Sequence, residues 1–107
     1  MARLLMVGLR PTAGPDDSEL IGLVRAGLAI ARAKGYLSDF SPRLARSESG
    51  TLVMLCELVS VRTVDALDED ADLQDVIMQI SALAEVFPLY TLVEFSAMRV
   101  TFETLDA

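Results

Sequence analysis

The sequence predicts a single α+β domain over residues 1–107, with elements in the order β-α-β-β-α-β. Apolar runs of strand length alternate with longer stretches of helical periodicity, and glycine or proline stands at the junctions. A length of 107 residues suits one domain and leaves no room for a second.

Leu4 to Leu9 is an unbroken apolar run between Arg3 and Arg10, the pattern of a central strand covered on both faces. Pro11-Thr12-Ala13-Gly14-Pro15 ends it. Asp16 has the chemistry of a helix N-cap, and Glu19, three residues on, completes a capping-box pattern. The helix runs to about Lys34 with Leu20, Val24, Leu28 and Ala31 on one stripe, and Gly35 follows as the left-handed residue beyond its C-terminus. Tyr36 to Arg46 is expected as an edge strand, where the amide missing at Pro42 does no harm.

Ser47-Glu48-Ser49-Gly50 turns the chain into Thr51 to Arg62, a strand rich in valine and leucine and apolar on both alternating faces. An acidic loop, Asp65 to Asp70, leads to a second helix from about Asp72 to Val86. Its stripe is Leu73, Val76, Ile77, Ile80, Leu83, Ala84 and Phe87, and Pro88 stops it. Leu89 to Glu103 completes the sheet as a long last strand.

Two β-α-β units with right-handed crossovers make a ferredoxin-like fold, a four-stranded antiparallel sheet with both helices on one face. The other face is then open, although strands one and three are apolar on both sides. A second copy packed on the open face resolves this, so a homodimer is expected. The 52% apolar composition points the same way, towards an internal cavity or a partner-covered surface.

Net charge is −7, and residues 63–107 hold ten acids but one base, Arg99. Such a balance argues against nucleic acid and anionic membranes as partners, since both call for a basic face. The apolar run at the N-terminus is too short for a signal peptide, and no segment reaches the length of a membrane span. Cys56 is the single cysteine, cannot form an internal disulfide, and suits a reducing, cytoplasmic compartment.

No metal, haem or nucleotide cofactor is expected. The chain has no histidine, and Asp68-Glu69-Asp70 with Asp72 lacks the glycine and spacing of a calcium loop. No glycine-rich phosphate loop is present, and a Ser-His or Cys-His nucleophile pair is impossible.

Glu57 is the candidate catalytic residue. It shares a strand face with Val53, Leu55, Val59 and Val61, and burial there would raise its pKa towards that of a general base. The other reading is a structural ion pair with Arg3, Arg10 or Arg99 on neighbouring strands. Tyr36, Phe40, Phe87 and Tyr90 fall at strand and helix ends, as the rim of a pocket for a small hydrophobic or aromatic molecule or as ordinary core packing. Met54 would be an adaptable pocket wall or a gap-filler in the core.

Gly35-Tyr36-Leu37-Ser38 after the first helix, Leu55-Cys56-Glu57-Leu58-Val59 in strand three, and Asp65-Ala66-Leu67 ahead of Leu73-Gln74-Asp75-Val76-Ile77 carry a resemblance. With the element order, they resemble the antibiotic-biosynthesis-monooxygenase group of dimeric α+β barrel proteins over nearly the whole chain. The resemblance implies two sheets packed face to face, with a pocket in each subunit between sheet and helices. Its members oxidise aromatic polyketide-like substrates without a cofactor, degrade haem, or isomerise and cyclise small molecules. Glu57 matches the family's strand-three glutamate, whereas Val59 stands where a tryptophan is common, placing Val59 at the implied substrate pocket. The absence of tryptophan and histidine counts against haem degradation.

Together these readings predict a cofactor-independent monooxygenase or cyclase of secondary metabolism acting on an aromatic polyketide-like substrate. In it Glu57 removes a proton and Tyr36 or Tyr90 orients the ring oxygen. The alternative is a non-catalytic dimeric module that binds a ligand or another protein. An enzyme should aim a polar residue into an otherwise apolar cavity, and this separates the two.

Overall fold

The computed structural model describes residues 2–12, 16–87 and 103–105. Its elements are β1 (Arg3–Pro11), α1 (Ser18–Ala33), β2 (Arg43–Arg46), β3 (Leu52–Leu58), α2 (Arg62–Glu69), α3 (Ala71–Leu83), β4 (Ala84–Phe87) and β5 (Glu103–Leu105). The strands form one antiparallel sheet in the order β4-β1-β3-β2-β5. The α+β class is as expected, and the order is compatible with a ferredoxin-like arrangement. Among the described residues the sheet has five strands rather than four, and there are three helices rather than two.

Strand periodicity sorts the sheet into two faces. In the β1–β3 register Leu5 lies opposite Cys56, Val7 opposite Met54 and Leu9 opposite Leu52. These residues face α1 and α3, where Leu9, Leu20, Ile21, Val24, Leu44 and Leu52 form the buried core. The other face carries Leu4 opposite Glu57 and Met6 opposite Leu55. Leu4 is 62% and Met6 45% exposed, whereas Val53, opposite Gly8 on the same face, is buried, so among the described residues this face of β1 is open at its Leu4–Met6 end.

Several boundaries differ from expectation for identifiable reasons. The N-cap of α1 is Asp17 rather than Asp16, and it makes no side-chain cap bond. Its carboxylate is taken instead by Arg46, through Nε and Nη2 at 3.0 Å each. Asp16 accepts from the amide of Ser18 at 3.1 Å and from its hydroxyl at 2.8 Å, closing a local turn and holding its pKa below the usual value. Gly35 takes φ 77° after α1, as expected of a residue beyond a helix end.

The second strand is shorter than Tyr36 to Arg46. Leu37 makes an isolated bridge to Leu58, and regular pairing begins at Arg43, beyond Pro42. The hairpin at 47–50 is present, with the Gly50 amide donating to the Ser47 carbonyl at 3.0 Å and Gly50 at φ 88°.

Strand three stops at Leu58 rather than Arg62. The amide of Thr63 donates to the carbonyl of Ser60 at 3.1 Å, and this turn opens α2 inside the segment expected as strand and loop. Val59, Val61 and Val64 around Ser60 carry a strand pattern in sequence, and the local turn at the Ser60 carbonyl overrides it.

The helix α3 ends at Leu83, well before Pro88. Ala84 is extended, at φ −150° and ψ 155°, because the free edge of β1 takes the chain into its ladder. The pairing sets Ala84 opposite Pro11 and Val86 opposite Leu9, and the Thr12 amide donates to the Leu83 carbonyl at 3.0 Å. Of the long last strand expected over Leu89–Glu103, only Glu103 falls within the described residues, in β5.

Candidate functional site

A cavity of about 260 Å3 lies between the sheet and the helices. Its floor is the helix-facing side of β1 and β3, including Leu5, Val7, Met54 and Cys56. Its roof comes from the apolar stripes of α1 and α3, among them Val24, Leu28, Val76 and Ile80. Gly27 faces α3 across the lining, where a Cβ would lie 3.5 Å from Val76 Cγ1, in ordinary contact. Ile77 (44% exposed), Ser81 and Val86 (59% exposed) form a rim open to solvent between α3 and β4.

Among the described residues the lining is aliphatic apart from the sulfurs of Met54 and Cys56 and the hydroxyl of Ser81. The Ser81 hydroxyl donates to the Ile77 carbonyl at 2.9 Å, within its own helix. Cys56 is buried, and desolvation pushes its thiol pKa up, so it lines the cavity as a neutral thiol. Among the described residues no carboxylate or cationic side chain borders the cavity.

One end is fastened by a polar clasp. Lys34, just past α1, donates to Asp70 Oδ1 at 2.8 Å, to Asp70 Oδ2 at 2.7 Å and to Asp72 Oδ2 at 2.8 Å. The Tyr36 hydroxyl donates to Asp70 Oδ2 at 2.8 Å, and the Leu73 amide donates to Asp70 Oδ1 at 3.1 Å, so Asp70 also caps α3. The Asp70 side chain is only 6% exposed. The bonds from Lys34, then Tyr36, then the Leu73 amide hold its pKa down at about 2. The same network raises the pKa values of Lys34 and Tyr36, chiefly through their hydrogen bonds to Asp70. Ala31, Leu37, Leu67 and Leu73, all lining the cavity, flank these residues in sequence.

The expected site residues therefore separate. Met54 lines the cavity. Tyr36 closes its end by bonding to Asp70 and does not line it. Phe40 and Val59 are exposed and lie away from the lining. Tyr90 and the side chain of Phe87 lie outside the described residues.

Glu57 is half-buried on the opposite face of β3 from Cys56 and Leu58, which do line the cavity. Its Oε1 accepts from the Ser38 hydroxyl at 2.7 Å, and its carbonyl accepts from the Ser38 amide at 2.9 Å. Among the described residues its carboxylate thus bonds to a serine, and Arg99 lies outside them. The cavity-lining residues that sequence reasoning did not single out, Leu5, Val7, Cys56 and Val76, carried only period-two and helical apolar signals. Those signals mark core and cavity alike.

Arg46 forms a second clasp at the sheet edge, joining Asp17 before α1 to Glu103 of β5, with Nη1 to Glu103 Oε2 at 2.8 Å. Among the described residues no helix is long and apolar enough to cross a membrane, and no three metal-ligating side chains converge. No protein-family model, curated protein or solved structure matches the chain.

Proposed function

We propose that this chain is a small-molecule-binding protein that holds an apolar ligand between its sheet and its helices and works as a homodimer of the dimeric α+β barrel kind. The cavity of about 260 Å3 carries the reading, because a void of that size is far larger than the gaps a close-packed interior leaves. The neutral lining that the described residues supply favours binding over acid–base catalysis, which requires a titratable group within hydrogen-bond reach of the substrate.

The dimer reading rests on the open sheet face. Full burial of a Leu or Met side chain returns about 1.5–3 kcal/mol. Leu4 and Met6 are already about half covered, so two copies together would gain roughly 3–6 kcal/mol from them. Association costs roughly 4–15 kcal/mol, so the rest of the face, Leu55 above all, must pack as well.

The cofactor-independent monooxygenase or cyclase reading, on an aromatic polyketide-like substrate, keeps one observation in its favour. The Ser38–Glu57 pair lies on the open face, which a second sheet would turn into an apolar interior. A substrate entering between the sheets would meet Glu57 as a base; one in the cavity would not.

Native-state alkylation of Cys56 by iodoacetamide tests the binding reading, since the chain has no other cysteine. Saturation with naphthalene should slow labelling and raise the melting temperature. Unchanged labelling and melting would overturn the reading.

A further inference from the structure

We infer, resting on the pocket reading above, that the occupant is a neutral, hydrocarbon-like molecule of about ten non-hydrogen atoms, entering between α3 and β4. It is not a charged aromatic acid or a multi-ring polyketide. Size gives the first limit. A cavity of about 150 Å3 holds benzene, so one of about 260 Å3 scales to roughly ten such atoms. A two-ring aromatic or a branched hydrocarbon of that size fills it; a four-ring skeleton requires α1 and α3 to separate.

Charge gives the second limit. A carboxylate or ammonium would lose its hydration and meet no partner among the described residues, because the clasp between Lys34 and Asp70 is already satisfied and does not border the cavity. Hydrogen bonding gives the third. The Ser81 hydroxyl at the rim already donates within α3, and the other polar side chain on the lining among the described residues is the weakly bonding thiol of Cys56. Recognition is therefore by shape, with the unbranched Met54 side chain adjusting to the occupant.

Entry follows from exposure. Ile77 and Val86 are the large lining residues that reach solvent, whereas the opposite end is fastened by Tyr36, Lys34 and Asp70.

The test uses the full chain and compares protection of Cys56 by naphthalene, by naphthoate and by four-ring pyrene. The expected result is protection by naphthalene, at least about 100-fold weaker protection by naphthoate, and none by pyrene. Gly27→Leu, which places a side chain in the cavity, should abolish protection by naphthalene while circular dichroism still shows the folded chain. If that variant does not fold, Val86→Trp at the exposed rim should slow naphthalene entry at least tenfold. Comparable protection by naphthoate or pyrene would overturn the ligand class and leave the pocket reading standing. Protection by no probe, with no xenon uptake under pressure, would overturn both.

Discussion

Ser38 donates its hydroxyl to Glu57 Oε1 at 2.7 Å, on the face of β3 turned away from the cavity. The carboxylate that looks most catalytic in the sequence is thus bonded to a neighbouring serine, one strand thickness from the apolar void beneath. Truncating it as Glu57→Ala should cost about 1 kcal/mol in urea denaturation, the worth of an ordinary hydrogen bond at a half-exposed site. Protection of Cys56 by naphthalene should be unchanged. A loss of 3–5 kcal/mol, about the cost of orphaning a buried arginine, would contradict this placement.

The exposed side chains Leu4 and Met6 lead to a prediction about mass. Light scattering should give twice the 11.6 kDa chain mass, and Met6→Lys should return the single-chain value with unchanged circular dichroism. Met6 is half exposed in the single chain, so a lysine there is harmless until a second sheet covers it. A wild-type protein that stays at the single-chain mass would remove the dimer from the account.

The clasp predicts a pH dependence. Asp70 has its pKa lowered from 3.8 to about 2, so the stability it contributes is present above 3.8 and is lost as pH falls towards 2. Asp70→Asn keeps a side-chain oxygen for capping but removes the charge that binds Lys34. Its melting temperature should lie below the wild type at neutral pH, and the gap should close between 3.8 and about 2. A gap that stays constant through that window would mean that the charge of Asp70 does not hold the cavity's end.

Two glycines should respond in opposite directions. Gly22 lies in α1 with nothing within 4 Å of where a Cβ would stand, and Gly22→Ala should stabilise by about 0.5–1 kcal/mol through helix propensity. Gly35, at φ 77°, should lose about 1–2 kcal/mol as alanine. Equal effects would show that the C-terminus of α1 is not held in the left-handed conformation.

The sequence made much of this legible. The runs at Leu4–Leu9 and in β3 are strands, Gly35 ends α1, and Ser47-Glu48-Ser49-Gly50 is the hairpin. What escaped was the choice of face. Because β3 is apolar on both sides, alternation correctly groups Glu57 with Val53 and Leu55, but it cannot say which side the helices cover. The stripe of α3 continues through Ala84 and Phe87 as well in a helix as in a strand, and only the free edge of β1 decides between them. Asp70, which joins three elements, reads in sequence as one acid among several.

Methyl NMR during a naphthalene titration shows directly whether the ligand lies beneath the sheet or upon it. Shifts are expected for Leu5, Leu28, Val76 and Ile80, which line the cavity, with unmoved signals for Leu4, Met6 and Leu55 on the Glu57 face. Shifts confined to Leu4, Met6 and Leu55 would place the ligand against Glu57 and contradict the pocket reading.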